Sequence, residues 1–118
     1  VDPEVALEAI NGSSGRSLQT EQRIPQEILT RRFGYGFKLP LMAKDCRIAS
    51  EIMKDGFPEA KLLPAAVEIV QNAANQSDPE VDYTNVVRIL EQSAGQELRS
   101  GQSESKAPST PAAPKSAL

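Results

Sequence analysis

Nowhere in this 118-residue sequence do apolar residues alternate with polar ones for five or more positions among β-branched residues. A half-buried strand needs that period of two, so the chain offers no material for a sheet. Helix signals run instead through residues 1–99, and the expected fold is all-α, a helical bundle. Asp2 stands ready to cap a first helix with Pro3 in its opening turn. Val5, Ala6, Ala9 and Ile10 form the apolar face of that helix, and Asn11-Gly12 ends it. Residues 13–17 read as a loop. Pro25 is expected to open a short helix to Arg31 or Arg32, because a residue before proline, here Ile24, is biased to extended geometry. The run Phe33-Gly34-Tyr35-Gly36-Phe37 is irregular. A longer helix follows over about 40–54 with Gly56 as its terminator, then one over about 63–74, and a last one capped by Asp82 and reaching about Ser93. In the last two, Leu63, Ala66, Val67, Val70 and then Val86, Val87, Leu90, Ala94 read as core faces.

Composition changes near residue 100. From Ser100 to Leu118 there are five Ser, three Pro and four Ala, with no aromatic residue. Such a segment buries too little apolar surface to offset the entropy of ordering it, so 100–118 reads as a disordered tail. Its three prolines at every third position also fit a weak proline-rich ligand, but a solubilising tail or a frayed end is the favoured reading. The chain begins Val1-Asp2-Pro3-Glu4, which is acidic and has neither an initiator Met nor the layout of a signal peptide. It reads as the middle of something longer.

Several chemistries are excluded at once. There is no His, so no imidazole-dependent triad, Cys/His pair or His-ligated zinc can form within the chain, and no metal site is expected. The single Cys46 has no partner for a disulfide, which fits a reducing, cytoplasmic setting. With 13 Lys and Arg interleaved among 16 Asp and Glu, the net charge of −3 argues against a nucleic-acid partner. The longest nearly apolar run, 62–67, is far short of the roughly 18 to 20 residues of a membrane span.

The 40–54 helix holds the residues most suggestive of a site. At about 100° per residue its apolar set Leu41, Met42, Ile48, Ala49, Ile52 and Met53 makes one continuous face, and Asp45 falls in its middle. On that pattern the carboxylate stands where a core residue belongs. A buried carboxylate must be bonded to backbone or Arg, be protonated, or line a cleft, and the pattern leaves these alternatives open. Lys44 sits at the border of the same face, where it is either a solvated lysine or the binder of a negatively charged cofactor. Cys46 points inward as a small apolar residue. The segment leading into the helix places three of the five aromatic residues around Gly34 and Gly36. It is not a dinucleotide-binding turn, since Leu39 stands where a third glycine would be needed.

Taken together, Asn11-Gly12-Ser13-Ser14-Gly15-Arg16-Ser17, then Gly36-Phe37, then Leu41-Met42-Ala43-Lys44-Asp45-Cys46-Arg47-Ile48-Ala49 resemble the C-terminal half of the 3-hydroxyisobutyrate dehydrogenase family, the β-hydroxyacid dehydrogenases. The family's cofactor-side motif, Lys-Asp-Leu-Gly-Leu-Ala-x-Asp, matches here as Lys44 to Glu51. Lys44, Asp45 and Ala49 are kept, while Cys46, Arg47, Ile48 and Glu51 depart from it. The resemblance covers residues 1–99 and implies a helical domain closing over a Rossmann domain. It further implies that Lys44 and Phe37 contact an NAD or NADP cofactor and that Asp45 lines the cleft between cofactor and a small hydroxy-acid substrate. The family's glycine-rich fold, its Ser-Gly-Gly segment and its catalytic lysine are not in these residues, and Lys38, Lys44, Lys54 and Lys61 do not fit the catalytic position. The chain would then contain no catalytic residue, be inactive alone, and self-associate as a homo-oligomer through the surface it leaves open. The competing expectation is a free-standing helical interaction or dimerisation domain.

Overall fold

The structure, a computed structural model, describes residues 1–101. Helices make up its architecture, and the described residues contain no strand beyond an isolated antiparallel bridge between Lys38 and Asp82. The all-α expectation is met.

Helix α1 spans Pro3–Asn11 and is capped as its sequence dictates: an Asp2 side-chain oxygen accepts from the amides of Glu4 at 2.8 Å and Val5 at 3.3 Å. These are two of the donors that any helix start leaves orphaned. A turn and loop lead to Ser17, whose amide donates to Thr20 Oγ1 at 2.9 Å while the Thr20 amide donates to Ser17 Oγ at 3.2 Å. This reciprocal cap starts the next helix well before the proline.

That helix is Gln19–Ile28, in π geometry, with Pro25 inside it. The expectation that Pro25 opens a helix is corrected here, and the reason is local. In an i−5 register, the carbonyl that position 25 would bond is that of Thr20, and proline has no N–H to reach it. The Asn11 side chain donates to that oxygen instead, at 3.1 Å. The wide turn thus accommodates the ring, and Leu29 N–H bonds Ile24 O at 2.9 Å on the far side.

Helix α2 spans Leu39–Gly56 and α3 spans Leu62–Asn75. They pack as a hairpin through small residues. Ala43 and Ser50 of α2 and Ala73 of α3 are buried, and Gln71 Nε2 crosses to the Ala43 carbonyl at 2.7 Å. Asp82 caps a 3₁₀ turn, Tyr83–Val86, which runs directly into α4, Val87–Ala94. Gly95, with φ +64°, stops α4 in the left-handed conformation that suits a glycine. The core is small: Leu39, Ala73 and Tyr83, ringed by half-buried Phe37, Met42, Val70, Val81, Val86 and Ile89. Of the faces expected as core, Val87 is buried and Leu63, Val67, Val70 and Val86 are half-buried, whereas Ala66, Leu90 and Ala94 are exposed. A bundle this thin covers only one side of each helix. The expected tail falls outside the described residues from residue 102 on. Its first residue, Ser100, is described, and the Ser100 amide donates to Leu29 O at 3.3 Å.

Candidate functional site

Helix α2 shows its apolar stripe to solvent. Leu41, Ile48 and Ile52 are 45%, 43% and 69% exposed. Asp45 stands among them with its side chain 58% exposed and its Oδ1 3.0 Å from Lys44 Nζ. The expectation that this is a core face is therefore corrected. An angle count finds the apolar face of a helix but not the face that packs. Here α3 takes the opposite side, where Ala43 and Ser50 permit close approach. Asp45 needs no buried partner, and its ion pair with Lys44 is a surface one.

Phe37 lies elsewhere. It precedes α2 and packs on the core cluster, its ring 6.2 Å from that of Tyr83 at 64°. The structure brings Lys44 and Asp45 together and turns Phe37 inward at the start of the same helix.

The loop that carries Phe37 is held by two carboxylates, Glu27 and Asp82, whose burial the sequence did not show, although Asp82 was expected as a helix cap. Glu27, 1% exposed, takes the Arg32 guanidinium at both oxygens, with Nε at 2.9 Å from Oε2 and Nη2 on Oε1, and accepts from the Gly34 amide at 2.9 Å. The Arg32 hydrogen bond outweighs burial and lowers the Glu27 carboxyl to a pKa of about 2. No helix spacing announces this pair, because Arg32 lies five residues on and past the helix end at Ile28, while Arg31, four residues on, turns to Glu91 instead. Asp82 spends one oxygen on Thr84, from the amide at 3.0 Å and Oγ1 at 2.6 Å. Its other oxygen accepts from Gly36 N–H at 2.7 Å and Phe37 N–H at 3.2 Å. Burial alone would raise this carboxyl, but the donors from Thr84, Gly36 and Phe37 hold it below its ordinary value.

Aromatic rings fill the space between these clamps. Tyr35 meets Tyr83 edge-on at 5.6 Å with the Arg23 guanidinium 3.8 Å over its face. Phe33 lies between the guanidiniums of Arg31 and Arg88, each 4.6 Å from its centroid. Arg31 is itself anchored on buried Glu91, whose oxygens take Nη1 and, at 3.0 Å, Nη2, and whose Oε1 also accepts the Leu98 amide at 2.8 Å. Burial raises the Glu91 carboxyl, and the Arg31 and Leu98 donors bring it below the usual range. Beside the loop opens a cleft of about 290 Å³ lined by Phe33, Gly34, Phe37, Lys38, Glu80 and Asp82.

Chemically, the outward face of α2 offers a donor, Lys44, and an acceptor, Asp45, side by side on apolar ground. Such a pair suits a group that both gives and takes hydrogen bonds, such as a ribose hydroxyl or a carboxamide, and the ammonium also suits a phosphate oxygen. The residues present thus fit a pyridine dinucleotide. Among the described residues no three His, Cys, Asp or Glu side chains gather to hold a metal ion, and no helix is long and apolar enough to cross a membrane.

Residues 1–90 match the family described as NAD-binding of NADP-dependent 3-hydroxyisobutyrate dehydrogenase. The chain belongs to this NAD-binding dehydrogenase family. A curated relative, 2-(hydroxymethyl)glutarate dehydrogenase of Eubacterium barkeri, is 30% identical over 100 residues, covering 85% of this chain and 33% of the relative. The chain spans about a third of that relative's length.

Proposed function

We propose that residues 1–99 are the C-terminal, cofactor-covering domain of an NAD(P)-dependent oxidoreductase that transfers hydride between nicotinamide and a small 3-hydroxy acid. The observation that carries this reading is the Lys44–Asp45 pair set among exposed Leu41 and Ile48. A solvated helix face has little reason to keep large aliphatic residues, whereas a face that closes on a second domain does. When bound, the nicotinamide supplies the acceptor or donor of hydride. Lys44 then donates to a polar edge of the cofactor, Asp45 holds the ammonium and accepts from the hydroxyl or amide it faces, and Leu41, Ile48 and Ile52 exclude water from the joint. Phe37 packs at the amino end of the same helix and borders the pocket. The catalytic lysine and the dinucleotide-binding fold belong to the rest of the parent enzyme. The enzyme works in a reducing cytoplasm, where Cys46 stays a free thiol, and as a homo-oligomer.

Two experiments test this. In the parent enzyme, Asp45→Ala reduces turnover strongly with the fold intact; unchanged turnover contradicts the assignment. The purified 118-residue chain does not oxidise 3-hydroxyisobutyrate with NAD⁺, and measurable turnover would defeat the claim that it lacks catalytic machinery.

A second reading has one observation in its favour. Helix α3 also exposes Leu62 at 85% and Ile69 at 40%, a face that a free-standing dimerisation domain would use. That reading leaves Lys44 and Asp45 without a role.

A further inference from the structure

We propose that Asp82 is a positioning residue for the cofactor-covering face, fixing through its second carboxylate oxygen the loop that sets Phe37 and the start of α2. The proposal rests on the reading of Lys44 and Phe37 given above and adds a residue to it.

Capping a four-residue 3₁₀ turn needs one acceptor, and Asp82 Oδ1 supplies it through Thr84. The remaining oxygen reaches across the molecule to Gly36 and Phe37, 46 and 45 residues away in sequence. The neighbouring backbone completes the hold. Tyr83 N–H donates to Phe37 O at 2.8 Å, and Leu39 N–H donates to Val81 O at 2.9 Å. Phe37 is thus fixed at both its N–H and its C=O, and Leu39, the first residue of α2, is fixed two residues later. From there a stiff helix runs little more than one turn to Lys44. A shift of Phe37 is therefore passed to Lys44 and Asp45 nearly whole.

The glycine is part of the device. Gly36 turns its amide to Asp82 at φ +104°, a conformation that L residues rarely adopt. The loop borders an open cleft whose lining includes Phe33 and Phe37, and the Asp82 carboxylate forms part of its wall.

Two substitutions separate the cap from the grip. Asp82→Asn keeps an oxygen for Thr84 but presents an NH₂ group to two N–H donors, and Asp82→Ser keeps the cap but is too short to reach the loop. Both variants are made in the longer polypeptide assigned above, together with Lys44→Ala. Amide hydrogen exchange is followed at Gly36 and Phe37, and NADPH and NADH are titrated by fluorescence. The expected result is lost protection at those two amides, a lowered unfolding midpoint with the transition still cooperative, and cofactor affinity lowered roughly ten- to a hundredfold, the scale on which a misplaced binding group acts. Lost protection with unchanged NADPH and NADH affinity, while Lys44→Ala weakens both, overturns the proposal and leaves the functional reading standing. If Lys44→Ala also changes nothing, the functional reading falls and the proposal with it. Protection retained in both variants overturns the proposal outright.

Discussion

The Asp82 carboxylate accepts the Gly36 amide at 2.7 Å, joining the end of the aromatic loop to the cap of the last helix. Glu27 does the same for Gly34 at 2.9 Å, so each glycine flanking Tyr35 is held by a different buried acid. The loop before α2 is irregular yet fixed, because charge-assisted hydrogen bonds replace the ladder that a regular element would have.

The two glycines should respond differently to a methyl group. At Gly36 a Cβ would meet nothing within 4 Å, so only the φ of +104° opposes it. Gly36→Ala is expected to cost about 1 to 3 kcal/mol, the range for a residue forced into a sparsely populated backbone region. At Gly34 the nearest atom would be Arg32 O at 3.6 Å, an ordinary contact with no positive φ. Gly34→Ala should fall within about 0.5 kcal/mol of wild type. Urea unfolding of both variants checks the contrast.

Acid should unfold the protein through its buried carboxylates. Glu27 is lowered from its ordinary 4.5 to about 2, and Asp82 and Glu91 are lowered as well. The unfolded chain then takes up protons at higher pH than the folded one. The stabilisation is complete above about pH 5 and is lost as the pH falls through 4.5 toward 2. Thermal melts across that range should decline steadily, and Glu27→Gln should flatten the decline. A wild-type melting temperature independent of pH between 5 and 2.5 would contradict this.

Removing one partner of the Arg31–Glu91 pair should cost more from one side than from the other. Glu91 is 7% exposed, and without Arg31 its carboxylate keeps the Leu98 amide as a hydrogen-bond donor and only the more distant charge of Arg88. Arg31→Ala is expected to destabilise by about 3 kcal/mol, the cost of removing a buried carboxylate's ion-pair partner. Glu91→Gln preserves volume and an acceptor for Leu98, and about 1 to 3 kcal/mol is expected. Equal losses in urea titration would mean that the pair is not desolvated as the geometry indicates.

The exposed stripe of α2 should govern association and leave folding alone. Ile52 is 69% exposed, so Ile52→Lys removes apolar surface from the outside and not from the core. Stability should stay within about 0.5 kcal/mol of wild type, and sedimentation at tens of micromolar should shift from self-associated species toward monomer. A wild-type chain that is already monodisperse and monomeric would count against this account of the face.

Local signals carried most of the fold. Asp2-Pro3 and the Asp82 cap act within three residues and were legible, as were α2 and α3, whose periodicity is long and uninterrupted. Pro25 misled because it was judged as a helix opener; the remedy for its missing N–H is Asn11, which lies in another helix. Asp45 misled for a different reason. Periodicity fixed which residues share a face but could not tell that α3 would pack on the small side of α2. Glu27, Asp82 and Glu91 escaped notice as buried acids because burial is set by the whole fold. Glu91 and its partner Arg31 are 60 residues apart, beyond any sequence window.

The most direct test of the central claim is the intact mass of the native polypeptide, captured from its source cells through residues 1–99. The account predicts a product larger than this chain by at least one domain, on the order of 150 residues, carrying a dinucleotide-binding fold ahead of Val1. A native product that matches the 118 residues alone would contradict it.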